Sequence, residues 1–371
     1  MRVSGLQRVL VVALVALSAC APAPPTTAPT AAPANPTPTS APAATAAPAA
    51  AKPTPPPAPT ATLQPTALPQ ASVKMGYSNI AGAELGLWYA LDTGAFAARN
   101  LDVDAELVAG GANTMAALLA GQLQLADAGG SEALSAVASG ADLVVVATLS
   151  PVYPYVFEVI PEIQTTEDLI GKKIGVATLG GSADVATRIA LRSAGLDPGK
   201  DVTIVATGSA QNRTAALASG AIQGGMVGGP PETLEVEARG LHPLMDLAAL
   251  KLPAANTSVV VQRAWLQANR GVVQRYIDSL IDAVSRLKND KPRAVAVLKS
   301  YFKTDDDAAM SASYDFFANE VLPVLPYPKP EQFKDGQEQL GATNPKVLEV
   351  SLDNLLDASF VQNAADRGLG K

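Results

Sequence analysis

The sequence predicts an α/β protein of two lobes, each a doubly wound sheet with flanking helices, joined by a hinge of two chain segments. The main observation is a near-repeat at an offset of 99 residues, which aligns Met75–Gly130 with Ile174–Gly229. Each copy also alternates short apolar runs, typical of buried strands, with stretches of helical periodicity. Because the shared positions are mostly loop glycines, and open α/β sheets bind ligands at strand-to-helix turns, the repeat predicts one cleft between two similar lobes. The alternative is an accidental match between two Ala/Gly-rich units.

Turn residues divide each copy into predicted strands and helices. In the first copy the strands are Val73–Tyr77, Val103–Val108, Leu123–Ala128 and Leu143–Leu149, and the helices are Gly82–Ala98 and Asn113–Ala120. The second copy repeats the order, with strands Lys173–Ala177, Val202–Ala206 and Gly225–Val227 and helices Ala183–Ala194 and Thr214–Ser219.

Beyond Pro253 the pattern changes to one strand followed by three amphipathic helices, namely Ser258–Gln262, Val272–Lys288, Pro292–Tyr301 and Ala308–Leu322. A strand and helices without further cleft-type glycines indicate that the chain returns to the first lobe. We therefore expect a first lobe of residues 73–158 and 257–371 around a second lobe of residues 159–256. The chain would cross between them near Phe157–Ile160 and Asn256–Val260, and these two segments would form the hinge.

The first 72 residues predict an export signal and a tether rather than part of either lobe. Residues 1–19 combine two arginines with an apolar run that is too short for an ordinary spanning helix, which predicts a signal peptide. Leu17–Cys20 resembles a bacterial lipobox, which would make Cys20 the lipidation site and anchor the chain to the cell membrane, outside the cytoplasm. The alternative is a plain signal peptide with an incidental cysteine. Residues 20–72 contain 16 of the 30 prolines and predict a disordered, extended tether.

The amino-acid composition excludes several classes of protein. The formal net charge of -7 leaves no basic footprint for nucleic acid. Cys20 is the one cysteine, so an intramolecular disulfide and a cysteine-based zinc site are excluded. His242, the one histidine, is predicted in a loop without a Ser or Cys partner, and no catalytic or phosphate-binding motif is present. We therefore expect a monomer without enzymatic activity, cofactor or metal, whose partner is a small-molecule ligand.

Five predicted strand-to-helix turns carry the candidate ligand-binding residues. Helix N-termini present unpaired backbone N–H groups and glycine permits close approach, so such turns bind anions without a positive side chain. Each Ser or Asn alone is also an ordinary helix cap. With Tyr153 added from the hinge, the candidate site comprises Ser78, Asn79, Gly111, Ala112, Asn113, Gly130, Ser131, Tyr153, Gly181, Ser182, Gly229 and Pro230.

Acidic and aromatic residues near these turns bear on the class of ligand. The acidic ones, which usually act only as helix-dipole partners, are Glu84, Glu132, Asp184 and Glu232. Any of them in the cleft would disfavour a bare anion such as nitrate and favour a zwitterion with an amine. The aromatic ones, which could stack on a heterocycle or simply pack, are Tyr153, Tyr155 and Phe157.

Several segments resemble a known family, the extracytoplasmic solute-binding proteins of ABC importers of the sulfonate, taurine and nitrate type, which share a fold with thiamine-precursor-binding proteins. The most specific segment, Asp168–Val176, is similar to the family pattern D-L-x-G-K-x-[IV]-[AG]-V. The others are Ala90–Phe96 with Leu101–Val103, Ala194–Asp197 and Ala216–Gly220. The resemblance implies a type II periplasmic-binding-protein-like fold and delivery of a small organic anion or zwitterion, sulfonate- or taurine-like, to an ABC permease.

The chain departs from that pattern in two places. Gln124 and Gln223 stand where members often carry Asp, and Gly229 stands where they often carry Glu or Trp before a proline. The second departure concerns the pocket and therefore the ligand. Other interpretations stay open: the same fold holding a neutral pyrimidine- or flavin-like heterocycle, an extracytoplasmic enzyme on this fold, or a ligand-gated sensor.

Overall fold

The computed structural model describes residues 69–371. The predicted signal peptide, the lipidation site Cys20 and nearly all of the predicted tether lie outside the described residues. The first strand begins at Ala71, two residues before the predicted start of the folded part. Within the described chain, no helix has both the length and the apolar character needed to cross a membrane.

Residues 69–371 form ten strands and thirteen α-helices. The strands are β1 Ala71–Tyr77, β2 Leu101–Leu107, β3 Leu125–Ala128, β4 Leu143–Val152, β5 Tyr155–Val159, β6 Lys173–Val176, β7 Thr203–Ala206, β8 Gly224–Gly228, β9 His242–Asp246 and β10 Pro253–Gln262. The helices are α1 Leu85–Asp92, α2 Gly111–Leu119, α3 Gly130–Ala138, α4 Ser182–Ser193, α5 Ala210–Ala218, α6 Glu232–Glu237, α7 Leu247–Leu250, α8 Arg263–Leu287, α9 Lys291–Phe302, α10 Asp307–Phe316, α11 Glu331–Gly341, α12 Leu352–Leu355 and α13 Ser359–Asp366.

The strands form two five-stranded sheets of equivalent topology, as the near-repeat predicts. The first sheet has the order β2-β1-β3-β10-β4 and the second the order β7-β6-β8-β5-β9. In each, the first three strands are parallel and the fourth runs antiparallel to both neighbours. The predicted class, an α/β protein with two lobes of flanked sheets, is confirmed.

Two pairs of aligned residues have the same structural role in both sheets. The side-chain oxygen of Gln124 accepts the backbone N–H of Lys74 at 2.8 Å, and that of Gln223 accepts the N–H of Lys173 at 3.1 Å. Both lysines lie near the start of the strand at the centre of the parallel part. The glutamines that depart from the family pattern therefore hold strands in register, and they lie away from the cleft.

The chain crosses between the sheets earlier than predicted. β5 already pairs with β8 and β9 of the second sheet, so the first crossing is at Tyr153–Pro154 rather than at Phe157–Ile160. Proline has no N–H to donate to a ladder, which explains why pairing stops there. The return crossing lies between the end of β9 and Pro253, which pairs with Val152 of the first sheet, rather than at Asn256–Val260.

The C-terminal helices complete the first lobe and add a contact between the lobes. α8, α9 and α10 cover the first-lobe core, in which Trp88 stacks on Tyr301 with ring centroids 4.4 Å apart. α11 was not predicted; it packs on α3 of the first lobe and on α4 of the second. Arg192 of α4 also donates to the side-chain oxygen of Gln339 on α11 at 2.6 Å.

Other local differences have simple causes. The predicted helix over Gly82–Ala98 divides into a 3-10 turn, α1 and a second 3-10 turn, because Gly94 adopts a left-handed conformation with φ of 68° just after α1. The helix predicted to reach Leu322 continues beyond α10 only as a π-helical turn, Phe317–Val321. His242 begins β9 opposite Val159, so it is not in a loop.

Candidate ligand-binding cleft

A cavity of about 90 Å³ lies between the lobes, at the carboxyl ends of the parallel strands of both sheets. This placement follows from the topology, because strand-to-helix turns of two facing sheets meet at one cleft. Its lining residues are Ser78, Asn79, Ala81, Gly110, Gly111, Gly129, Glu132, Tyr155, Ala177, Thr178, Ser182, Ala183, Gly208, Ser209, Arg213, Gly228, Glu232, Asn256 and Thr257.

Five helices begin at this cavity, since its lining includes Gly129 just before α3 and Glu232 at the start of α6 as well as residues at the starts of α2, α4 and α5. α2 starts at Gly111, α4 starts at Ser182, and the Ser209 side chain caps α5 by accepting the backbone N–H of Asn212 at 3.1 Å. Helix N-termini carry unpaired N–H groups and a partial positive charge, so they favour negatively charged groups of a ligand. The cleft is thus equipped to hold an oxyanion from both lobes.

The carboxylate of Glu132 lies in the cleft, between the two lobes. Glu132 lies in the first turn of α3, and the backbone N–H of Ser182, across the cleft, donates to it. A Cβ at any of three glycines would overlap the carboxylate, and these come from both lobes: Gly111, Gly129 and Gly181. The glycines therefore leave room for a carboxylate between the lobes.

Burial alters the protonation of Glu132. Loss of solvent raises the pKa of its carboxyl to about 7, although the N–H donors of Ser182 and of Glu132 itself act in the opposite direction. The Oε2 atom is buried and has no hydrogen-bond partner. Near neutral pH, Glu132 can therefore accept a hydrogen bond from a ligand or hold a proton of its own.

An ion pair of the second lobe forms the opposite wall. Nη2 of Arg213 lies 2.9 Å from Oε1 of Glu232, and the Arg213 side chain is 4% exposed. Glu232 also accepts the hydroxyl of Thr214 at 3.1 Å and the backbone N–H of Gly228 at 3.0 Å. With its carboxylate so well satisfied, Glu232 orients the guanidinium, whose buried Nε has no partner.

Tyr155 and two asparagines add further polar surface. The Asn256 side chain hydrogen-bonds the Tyr155 phenol, and burial raises the pKa of that phenol so that it stays neutral. The side-chain oxygens of Asn79 and Asn256 are buried without partners. A buried polar group without a partner costs free energy, so these acceptors favour a ligand that brings N–H or O–H donors.

The structure brings together four of the twelve residues predicted for the site: Ser78, Asn79, Gly111 and Ser182. The other eight are not among its lining residues. Gly181 adjoins the Glu132 carboxylate, Ala112 lines a neighbouring groove, and Asn113 donates to the carbonyl of Ala109 at 2.8 Å. Gly130, Ser131 and Tyr153 line a separate small cavity against α11, whereas Gly229, followed by Pro230, packs on the Phe316 ring.

Of the four acidic residues near the turns, Glu132 and Glu232 reach the cleft. Glu84 is buried in the first lobe beside Asp127, and Asp184 pairs with Arg188 at 2.9 Å. Of the hinge aromatics, Tyr155 lines the cleft and Phe157 lies in the second-lobe core.

Sequence reasoning missed Thr178, Ser209, Arg213, Asn256 and Thr257. A signal for Arg213 was present, because the 99-residue offset aligns it with Thr114, which is fully buried in α2. An arginine at the buried position of a repeated helix indicates a special role. Asn256 and Thr257 lie on β10, outside the repeat, and nothing in the sequence distinguishes them.

The family comparison agrees with this geometry. The sequence profile described as "NMT1/THI5 like" matches residues 83–293, more than half of the chain. The chain belongs to the NMT1/THI5-like family. The resemblance to solute-binding proteins of the sulfonate and nitrate type is therefore confirmed at the level of family and fold. A comparison with curated proteins finds no relative in sequence.

Several solved structures have the same fold as this protein, although their sequences are less than 25% identical to it. The alkanesulfonate-binding protein SsuA from Xanthomonas axonopodis pv. citri, bound to MOPS, has a TM-score of 0.65 and 22% identity over 80% of this chain and 99% of that chain. The periplasmic nitrate-binding protein NrtA from Synechocystis PCC 6803 has a TM-score of 0.63 and 15% identity over 81% of this chain and 89% of that chain. A mutant of DszB in complex with biphenyl-2-sulfinic acid has a TM-score of 0.57 and 18% identity over 79% of this chain and 99% of that chain.

Proposed function

We propose that this chain is an extracytoplasmic solute-binding protein, lipid-anchored through Cys20, that captures a small zwitterion and delivers it to an ABC permease. The observation that carries the proposal is the cavity between two equivalent sheets, which is lined by helix N-termini and by the buried charged groups Glu132 and Arg213. A ligand there touches both lobes only when the cleft is closed, so it stabilises the closed form by the difference in contacts. Family membership and the fold shared with sulfonate- and nitrate-binding proteins support the same role.

The charges in the cleft favour a ligand with both an oxyanion and an amine. The N-termini of α2 and α5 and the free Nε of Arg213 offer donors to an oxyanion. The free Oε2 of Glu132 offers an acceptor to an ammonium group and repels a bare anion. An aminosulfonate such as taurine satisfies both walls of the cavity.

Binding is favoured over catalysis by the residues that line the cleft. Among the described residues of its lining there is no histidine or cysteine, and His242 lies on β9 outside it. The hydroxyls present, Ser78, Thr178, Ser182, Ser209 and Thr257, suit hydrogen bonding to a ligand. A ligand recovered unchanged after incubation with the protein is the expected result, and its consumption would establish an enzyme.

Calorimetric titration of the purified protein with taurine, ethanesulfonate and nitrate tests the ligand class. Ethanesulfonate keeps the oxyanion of taurine but lacks the amine. We expect taurine to bind at least tenfold more tightly than ethanesulfonate, because a hydrogen bond to a charged group contributes about 1.5–3 kcal/mol. Nitrate should bind more weakly still.

Three results would overturn this class of ligand. Equal or tighter binding of ethanesulfonate or nitrate would indicate a receptor for bare anions. Preference for a neutral pyrimidine or flavin, titrated in parallel, would indicate a heterocycle receptor that uses Tyr155 for stacking. Absence of binding by all of these compounds would reject the proposed cargo.

A further inference from the structure

Two adjacent phenylalanines at the end of α10 contact both lobes. Phe316 is the last residue of α10, and Phe317 begins the π-helical turn that follows it. Their rings are nearly perpendicular, with an interplanar angle of 86° and centroids 4.9 Å apart. Because the rings are set at this angle, each can pack on a different surface, and each packs on a glycine of a different lobe.

Both rings lie directly against glycine backbone. A Cβ at Gly82 of the first lobe would be 2.1 Å from the Phe317 ring. A Cβ at Gly229, which follows β8 of the second lobe, would be 2.3 Å from the Phe316 ring. Real Cβ atoms do not approach other atoms so closely, so the packing requires glycine at both positions. At Gly229 this requirement accounts for the departure from the family pattern.

The Phe316 ring is held in place by the first lobe. The Tyr314 hydroxyl, one turn earlier in α10, donates to the carbonyls of Leu287 and Lys288 at 3.0 and 3.1 Å, which ties α10 to the end of α8. Phe317 is 2% exposed and belongs to the first-lobe core. The Phe316 ring therefore projects from the first lobe, and the glycine on which it packs belongs to the second.

This packing lies beside the ligand-binding cleft. Ala81 precedes Gly82 and Gly228 precedes Gly229, and these two preceding residues line the cleft from opposite lobes. Since Phe316 stays with the first lobe, a rotation that separates the lobes carries Gly229 away from the ring. The contact between the Phe316 ring and Gly229, which we call the aromatic latch, therefore belongs to the closed form.

We propose that Phe316 is a positioning residue whose aromatic latch holds the cleft closed whether or not a ligand is bound. Phe316 is not among the residues that line the cleft, so it acts on the ligand only through the position of the second lobe. A contact made only in the closed form raises the closed fraction, and ligand affinity rises with that fraction. The inference rests on the proposed closing of the cleft and goes beyond it, because it concerns how readily the cleft closes.

Small-angle scattering of the ligand-free protein tests the latch independently of the cargo. Phe316→Ala removes the ring, so the lobes should separate more often and the radius of gyration should exceed that of wild type. Phe302→Ala is the matched control, because Phe302 is also half-buried but packs on Trp88 within the first lobe, and it should keep the wild-type radius. Equal radii in wild type and Phe316→Ala would overturn the latch and leave the proposed function intact.

A double-mutant cycle with taurine as the probe tests the contact itself. Gly229 does not have a positive φ, so Gly229→Ala adds a methyl group without backbone strain, and this methyl overlaps the Phe316 ring. Each single variant should weaken taurine binding by about tenfold, which corresponds to about 1.4 kcal/mol, the order expected for half-burying an aromatic ring. Once Phe316→Ala has removed the ring, Gly229→Ala should weaken binding no further.

Two outcomes of the cycle separate the latch from the proposed function. If Gly229→Ala weakens taurine binding equally with and without the ring, Gly229 acts on the ligand directly and the latch is rejected. If the wild-type protein does not bind taurine, the proposed cargo is rejected, and the scattering comparison alone decides whether the latch exists.

Discussion

At the scale of single residues, Glu132 of the first lobe lines the cleft and also contacts the opposite lobe. A glutamate in the first turn of a helix is usually a partner of the helix dipole, and sequence alone indicates no more than that. Here the surrounding glycines leave space for the carboxylate between the lobes, and the backbone N–H of Ser182 in the second lobe donates to it, so the side chain contacts both lobes. The role could not be predicted, because it depends on which turn of the second lobe faces α3.

The raised pKa of Glu132 predicts pH-dependent binding of an amine ligand. Only the ionised carboxylate pairs with an ammonium, and burial raises the pKa of this carboxyl to about 7. Taurine affinity should therefore rise by up to about tenfold per pH unit as the pH increases toward 7, and level off above it. Calorimetry between pH 5.5 and pH 8.5 measures this dependence.

Two variants complete the experiment on Glu132. Glu132→Gln keeps the shape but removes the titrating group, so binding should be weaker and independent of pH in this range. Glu235→Gln removes an exposed carboxylate that pairs with Arg239 at 2.9 Å, and it should behave as wild type. A pH-independent affinity in the wild-type protein would contradict the assigned role.

At the scale of secondary structure elements, the repeat predicted more of the fold than of the site. Most strands within the two copies were predicted close to their observed bounds, and Gly121 and Gly220 both end their helices with positive φ. β5, β9 and α11 were missed. Their residues lie outside the repeat, and they hold their places through contacts between segments that are distant in sequence, such as the packing of α11 on α3 and α4.

The site was predicted less well than the helices and strands. A strand-to-helix turn lines the cleft only if no other helix packs over it, and local sequence does not indicate which turns are covered. Ser131 and Ser182 occupy similar turns, yet α11 covers Ser131 while Ser182 lines the cavity. The same holds for Gly229, which the ring of Phe316 covers. Local sequence indicates that a turn exists, and the packing of the C-terminal helices determines which turns stay open to a ligand.

The close approach of α3 to α4 predicts a selective effect of Gly129→Ala. Gly129 has φ of -70° and ψ of 149°, which any residue adopts, so the backbone is not strained. The added methyl overlaps the Glu132 carboxylate and the hydroxyl of Ser182 across the cleft. Taurine affinity should fall at least tenfold, and scattering at saturating taurine should give a larger radius of gyration than in wild type.

Gly271→Ala is the matched control for that substitution. Gly271 lies in α8 with nothing near its missing Cβ, so alanine should raise the free energy of unfolding by about 0.5–1 kcal/mol and leave binding unchanged. Wild-type affinity in Gly129→Ala would show that ligand binding does not require this approach of the lobes.

At the scale of the whole molecule, each lobe buries carboxyl groups that carry no charge partner. Asp127 and Glu84 are 0% and 1% exposed in the first lobe, Glu158 is 0% exposed in the second, and all six of their oxygens lack hydrogen-bond partners. Burial raises the pKa of Asp127 to about 8 and that of Glu158 to about 7. For Glu84, burial and then the neighbouring Asp127 raise the pKa well above its ordinary value.

These shifts predict that the folded protein is more stable at mildly acidic than at alkaline pH. A group with a raised pKa binds more protons in the folded than in the unfolded state, so the free energy of unfolding falls as the pH rises between the two pKa values. For Glu158 that window runs from about 4.5 to about 7, and the loss is up to about 3 kcal/mol. Denaturant unfolding at pH 5, 6, 7 and 8 should show a steady decrease.

The variant Glu158→Gln tests whether the pH dependence of stability comes from this buried carboxyl or from repulsion among the many negative charges of the chain. The amide is neutral at every pH, so the variant should lose less stability than wild type between pH 5 and pH 7 and should become the more stable of the two near pH 8. The exposed carboxylate variant Glu235→Gln changes the net charge by the same amount and should keep the wild-type slope. If both variants reduce the slope equally, net charge rather than the buried carboxyl of β5 governs how the stability of this protein depends on pH.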